Sequence, residues 1–307
     1  MNSAHAVAYA LALRAASEAT AGQNYPPGAL YVVATPIGNL ADITLRALHL
    51  LQIADSVACE DTRHSQTLLR AYGIDKTAAQ LLAVHQHNES EAAQIVIERL
   101  RQGQRVAYAS DAGTPAISDP GARLVAAVRL AGLPVIPLPG ASSVTTALSV
   151  AGIAPEGVQE GSFVFIGFLP NKSGERTTAV EALRLEARSV VLLEAPHRIE
   201  ALATALAVLG QRTITVGREL TKQFEEITNV SAEGLPAWLA EDANRLRGEF
   251  VLVLHPRPGD TSGEPDDRVL KLLLAELPLK TAVKLSAEIT GQPRNVLYEL
   301  ALRLKKD

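Results

Sequence analysis

At 307 residues, 47% of them hydrophobic and 20% charged, the chain has the composition of a globular protein long enough for two or more compact units. A single cysteine, Cys59, excludes an internal disulfide framework and suits a reducing cytoplasm, and a formal charge of −4 argues, as an average, against a nucleic-acid partner. No apolar run approaches the ~18 uncharged residues of a membrane span, so no membrane association is expected.

Residues 1–28 are Ala-rich, lack the basic start of a signal peptide, carry Arg14 inside their apolar part and close on the breaker "YPPG". They read as a poorly ordered or weakly helical extension. From Leu30 onward short β-branched runs alternate with segments of helical period. "LYVVAT" (30–35), "SVACE" (56–60), "LLAVH" (81–85), "RVAYAS" (105–110) and "PVIPLP" (134–139) predict buried strands. The intervals between them predict crossover helices and a mainly parallel sheet, making 29–152 a first α/β domain.

After "AGIAPEG" (151–157) a second series begins: "FVFIGF" (163–168), "SVVLLEA" (189–195), "TITVGREL" (213–220), "EEITNV" (225–230) and "GEFVLVLHP" (248–256). Only some of its intervals hold a helix, so 153–257 reads as a second α/β domain with mixed pairing. Residues 258–267, within "RPGDTSGEPDD", have the composition of a linker. The tail, 268–307, is helical in pattern, with a turn around Gly291 that gives the spacing of a helix-turn-helix. It carries eight Lys or Arg against four Asp or Glu, +4 on a remainder of −8. Such a module suits a polyanion contact, and equally a solvated helical cap or an oligomerisation arm.

Four connectors leave the carboxyl ends of the first-domain strands, where open α/β sheets bind ligands: "TPIGNLAD" (35–42), "CEDTRHS" (59–65), "SDAGTPAISDPG" (110–121) and "LPGASS" (138–143). Pro36 with Gly38, Gly113 with Pro115, and Gly140 with Ala141 and Ser142 let main chain approach a ligand closely. Asp119, just before a helical run, reads as an N-cap. There is no G-x-G-x-x-G, no Walker lysine and no G-x-S-x-G, and His85 and His87 have no third ligand beside them, so no metal site is expected. Charges gather at strand ends: Glu60, Asp61, Arg63 and His64; Glu194, His197 and Arg198; Arg218, Glu219 and Lys222. Capping with surface ion pairs explains such clusters as well as a binding cleft does. Pattern alone therefore gives a two-domain α/β protein with a ligand between the domains.

The stretches "LYVVATPIGNLADIT", "EDTR", "SDAGTPAISDPG", "PLPGASSVTTAL", "FVFIGFLP", "EAPHRI" and "GRELTK" together resemble the rRNA cytidine 2′-O-methyltransferase branch of the tetrapyrrole methylase superfamily, in order from Leu30 to His255. The basic tail is similar to that branch's own C-terminal module. The resemblance implies two α/β domains of tetrapyrrole-methylase type with S-adenosylmethionine in the cleft between them, plus a small C-terminal helical module. It further implies a cytoplasmic homodimer that methylates the ribose of a cytidine in the decoding centre of 16S rRNA, in the small ribosomal subunit.

Carried over by position, Pro36, Ile37 and Gly38 would form the first cofactor loop; Asp111, Gly113, Ala116 and Ile117 the second; Ser142 and Ser143 the third. "FLP" (168–170), with Leu169, and "EAPHR" (194–198), with Glu194, would close over the cofactor or receive the nucleotide. Relatives that methylate tetrapyrroles often carry G-D-P where this chain has Ser110, Asp111 and Ala112, so the Asp is kept and its neighbours differ.

Methyl transfer from a sulfonium is an in-line displacement in which alignment supplies about 7–11 kcal/mol, and a ribose hydroxyl attacks once its proton is removed. Glu60, Asp61, His64, Lys172, Glu194 and His197 are candidates. Asp61 or Glu194 is expected as base, and Lys172 and Arg198 as contacts to phosphate or alkoxide. Two other readings stay open: methylation of a tetrapyrrole or other small molecule by the same fold, and a non-catalytic S-adenosylmethionine-binding RNA or ribosome factor.

Overall fold

The computed structural model describes residues 3–85, 87–117, 119, 121–153, 161–256, 267–290 and 292–304. The turn around Gly291 and almost all of the expected linker lie outside them. The chain forms two compact units, one holding both α/β halves and the other the C-terminal helices. The two halves nevertheless have separate sheets, as the alternation of strands and breakers predicts.

Strands β1 (Leu30–Val33), β2 (Ser56–Cys59), β3 (Leu81–Ala83), β4 (Val106–Ala109) and β5 (Val135–Leu138) make a wholly parallel sheet in the order β3-β2-β4-β1-β5. Each strand is followed by a helix: α2 (Leu45–Ile53), α3 (Thr62–Ala71), α4 (Glu89–Arg101), α5 (Gly121–Leu130) and α6 (Ser143–Val150). Alternation along the strands divides the core. Tyr31, Val33, Ala107 and Ala109 pack with α2 and α3, whereas Leu30, Val106 and Tyr108 pack with α4 and α5. Neighbouring strands β1 and β4 therefore send their chains to opposite faces, which opens a crevice at their carboxyl ends.

Before β1 lies α1 (Ser3–Thr20). Of the two readings of this extension, poorly ordered or weakly helical, the helix matches the second. Ala16 and Thr20 are buried, Leu13 packs on the α2 side of the core, and the Tyr9 ring meets Tyr72 edge-on at 5.0 Å. Tyr9, Leu13, Ala16 and Thr20 recur at helical spacing, a stripe that the surrounding alanines obscure.

The second sheet contains β6 (Phe163–Gly167), β7 (Ser189–Glu194), β8 (Thr213–Arg218), β9 (Glu226–Ser231) and β10 (Phe250–Leu254) in the order β6-β7-β10-β8-β9. Only β6 and β7 are parallel, giving the mixed pairing expected. One face, with Val190, Leu192 and Leu252, is covered by α7 (Ser173–Leu183), α8 (Ile199–Leu206) and α9 (Leu235–Ala240). The other, with Val191, Val251 and Val253, packs against Ile37 and against Val144 and Ala147 of α6. That apolar contact joins the halves.

In the second unit α10 (Asp267–Glu276), α11 (Leu279–Thr290) and α12 (Arg294–Leu304) bury Leu270, Val283, Leu297 and Ala301 together. Among the described residues no helix is long and apolar enough to cross a membrane.

Because Ala16 on α1 is fully buried, Ala16→Asn should lower the unfolding free energy by roughly 1–3 kcal/mol. Urea denaturation followed by circular dichroism measures this, and an unchanged midpoint would show that α1 contributes nothing to the core.

Candidate active site

The crevice is built from the loops that follow β1 and β4. Thr35 and Gly113 exchange backbone hydrogen bonds of 2.9 and 3.1 Å, so the loops are tied where their strands diverge. Thr35 Oγ1 also donates to the Ser110 carbonyl, and Thr114 Oγ1 donates to the carbonyl of Ala141 in the loop after β5. Gly113 has φ +82, and a Cβ there would stand 3.3 Å from Ile37, so a larger residue would be strained as well as crowded. Asp119 accepts from the Gly121 and Ala116 amides at 2.8 Å and from the Tyr108 hydroxyl, which fixes the exit of the second loop into α5.

The second half supplies the opposing wall. Asn39 N–H donates to Thr221 Oγ1, and a Cβ on Gly38 would lie 2.4 Å from Lys222 Cγ, so the first loop and the loop after β8 approach as closely as glycine permits. Lys222 Nζ is held by Glu219 Oε1 at 2.7 Å and Glu249 Oε2 at 3.0 Å. Burial opposes its charge, but these hydrogen bonds outweigh it and raise the ammonium's pKa. Among the described residues the non-glycine left-handed positions are Ala116, Glu219 and Thr221, all in the loops after β4 and β8. Strain of this kind gathers at sites that must hold a fixed shape.

Two adjoining spaces result. The larger, about 350 Å³, is lined by Pro36, Ile37, Gly38 and Asp111, by His64, Thr67 and Leu68 of α3, and by Lys222. The smaller, about 40 Å³, is lined by Gly113, Ile117, Ser142 and Ser143, with Phe165 and Leu193 from the second sheet. Ala112 borders both. Asp111 Oδ1 is buried without a hydrogen-bond partner, an acceptor left for something that donates. Its amide lies 3.5 Å from Glu60 Oε1. Burial, then the neighbouring Asp119 and Asp111, raise the Glu60 pKa, so the floor is acidic. Cys59, buried at the end of β2, is inert: burial pushes its thiol up to about 11.

Eight of the sequence-predicted cofactor residues thus line one or other space. Ala116 lines neither; its amide is taken by Asp119. Leu169 is buried in the core on the far face of the second sheet, its carbonyl bonded by Arg198. The expected catalytic residues are placed elsewhere. Asp61 caps α3, accepting from the Arg63 and His64 amides and from the Arg63 guanidinium, and the Arg63 side chain, foremost, holds its carboxyl down to about 2. A carboxylate so well served is a poor base. Lys172 is exposed and pairs with Glu175.

Glu194 continues the face of Val190 and Leu192, opposite Leu193, and its Oε1 lies 3.1 Å from Arg198 Nε, with both side chains largely buried. The pair braces the sheet behind the recess rather than lining it. His64, Lys222 and Glu249 face the larger space instead. His64 and Lys222 stand in charged clusters visible in the sequence, but Glu249 reaches the site through hydrogen bonds with Lys222 and Glu219, distant in sequence.

Comparison with known proteins agrees with this architecture. The profile of the tetrapyrrole (corrin/porphyrin) methylases matches residues 29–236, and that of the RsmI C-terminal HTH domain matches residues 260–305. The chain is 47% identical over 279 residues to the ribosomal RNA small subunit methyltransferase I of Escherichia coli O157:H7, covering 90% of this chain and 95% of that protein. To the protein of that name from Neisseria meningitidis serogroup B it is 46% identical over 298 residues, covering 95% and 98%. Among solved structures, the uroporphyrin-III-C-methyltransferase from Thermus thermophilus has a TM-score of 0.52 at 24% identity, covering 74% of this chain and 94% of that one. The cobalt precorrin-4 methyltransferase has a TM-score of 0.54 at 19% identity, covering 75% and 98%. At those identities the likeness is one of fold.

If Glu194 and Arg198 form a buried brace, Arg198→Met should cost roughly 3–5 kcal/mol by stranding the carboxylate, while Glu194→Leu with Arg198→Met should recover most of the loss. Urea unfolding of the three proteins tests this; a double variant as unstable as the single one would argue against it.

Proposed function

The chain belongs to the tetrapyrrole (corrin/porphyrin) methylase family and, within it, to the ribosomal RNA small subunit methyltransferase I group, and on that premise we propose that it transfers a methyl group from S-adenosylmethionine to the 2′-oxygen of a cytidine ribose in 16S rRNA, in the decoding centre of the small ribosomal subunit. The observation that carries this reading is the crevice between β1 and β4, walled by main chain and floored by Asp111 with an unsatisfied acceptor. S-adenosylmethionine presents an ammonium, hydroxyls and an amine, all donors, and a sulfonium cation. Both the free Asp111 oxygen and the acidic floor of Glu60, Asp111 and Asp119 fit such a molecule.

Pro36, Ile37, Gly38 and Asp111 would hold one part of it, and Gly113, Ile117, Ser142 and Ser143 another. When bound, it supplies an activated methyl carbon. The protein's own contribution is mainly alignment, which the tied loops provide by fixing the walls before the substrate arrives. Of the groups facing the larger space, His64 is an imidazole whose ring has no hydrogen-bond partner among the described residues, which leaves a ring nitrogen open to accept a proton. We assign it the removal of the ribose hydroxyl proton. Lys222, kept charged by its carboxylates, opposes negative charge growing on that oxygen. Leu169, Glu194 and Arg198 serve as support beneath Leu193. Action on the small subunit places the enzyme in the cytoplasm. A homodimer is part of the proposal, supported by Phe163, Ile166 and Phe168, exposed on and after the edge strand β6.

Labelled S-adenosylmethionine, offered with small subunits lacking this modification and separately with tetrapyrrole precursors, tests the reading. Label on a cytidine ribose is expected; label on a tetrapyrrole, or cofactor binding with no transfer, would overturn it in favour of a small-molecule methylase or a non-catalytic RNA factor. In the same assay Asp111→Ala should weaken cofactor binding about 5- to 100-fold. His64→Ala should leave that binding unchanged and lower kcat, and loss of binding instead would remove His64 from the proton step.

A further inference from the structure

The second unit carries a groove on its own surface, of about 560 Å³, lined by Lys280 and Lys284 of α11 and by Arg294, Asn295, Tyr298 and Glu299 of α12. Its floor is Val283, which also belongs to the apolar core of the three helices. Three of these six side chains are cationic and one is acidic. Lys280 and Lys284 stand one helical turn apart and enter no ion pair among the described residues, whereas Arg294 shares Glu288 at 3.4 Å with both side chains mostly exposed. Tyr298 is 39% exposed, one turn along α12 from Arg294. An aromatic face left open beside a row of unpaired ammonium groups adds nothing to the folding of a three-helix unit whose core is closed by Leu270, Leu297 and Ala301. It is the combination that holds a single strand of nucleic acid: a ring on which a base stacks, flanked by cations spaced along the phosphates.

We propose that this groove binds a single-stranded segment of the substrate RNA, with a base on Tyr298, phosphates at Lys280 and Lys284, and Asn295 at the edge of the stacked nucleotide. The assignment rests on the reading of the chain as an rRNA methyltransferase and adds where on the tail the RNA is held. Charge supports the choice of occupant, since the tail carries eight basic against four acidic residues while the rest of the chain is net negative. A duplex is a poorer fit, because its bases are stacked on one another and offer no free face to Tyr298.

The test is equilibrium binding of the full chain to a short single-stranded RNA, titrated with salt, alongside methyl transfer to small subunits. Lys280→Ala with Lys284→Ala should reduce the slope of log affinity against log salt by about 1.4, two phosphate contacts' worth on a single strand. Tyr298→Ala should weaken binding about 5- to 100-fold with the slope unchanged, and Tyr298→Phe should bind like the wild type. The three substituted side chains are exposed, so circular dichroism should be unaltered. Variants that bind and titrate like the wild type while it still methylates rRNA would overturn the groove and leave the enzymatic reading intact. Wild-type chain that neither binds RNA nor methylates it would overturn both. A duplex of equal length that binds as tightly and loses as much on Tyr298→Ala would overturn the single-strand assignment.

Discussion

The paired backbone hydrogen bonds between Thr35 and Gly113 are the constraint on which the site depends. Strands β1 and β4 are neighbours whose chains turn to opposite faces of the sheet, so their loops would splay if nothing held them. The bridge ties them just past the strand ends, and the other contacts build on it. Ser110, Thr114 and the loop after β5 are drawn in by side-chain hydrogen bonds, and Ile37 is set against the second sheet. A site made of main chain in this way tolerates little adjustment, because amides cannot change rotamer. The glycines at positions 38 and 113 follow from that stiffness: one stands where Lys222 packs against the backbone, the other where the chain must turn left-handed.

The strands and the helices between them were legible because burial imposes period: β-branched runs for a sheet covered on both faces, helical spacing between them. The loops that wall the crevice were legible for a similar reason, since only glycine, proline and small residues permit such close approach. The α1 helix was not. Tyr9, Leu13, Ala16 and Thr20 form a proper stripe, but alanine on every side flattens the contrast between buried and exposed faces, so the pattern reads as low complexity.

The charged side chains around the crevice were harder for a different reason. A charged residue at a strand end announces that the edge is polar but not which way it points. Glu194 and Leu193 are adjacent in sequence and on opposite faces of β7, so one joins a core ion pair and the other lines the recess. Asp61 and His64 share one turn of α3, yet the first is consumed in capping and the second is turned to the cleft. Spacing places all four residues near the site. Only packing separates those that reach it.

Under the proposed reaction the two substrates make opposite demands on the protein. A sulfonium is held best over carboxylates, and the floor formed by Glu60, Asp111 and Asp119 meets that demand at the cost of raising Glu60's own pKa. RNA, a polyanion, is repelled by the same charge. A chain that binds both must therefore pair any cation beside the cofactor floor tightly with acids and leave other cations free of them, and this chain has both arrangements. Lys222, a cation facing the cleft, is locked between Glu219 and Glu249, while the lysines of α11 enter no ion pair among the described residues. The net charge of −4 is the average of these two requirements, which is why it says so little about the partner.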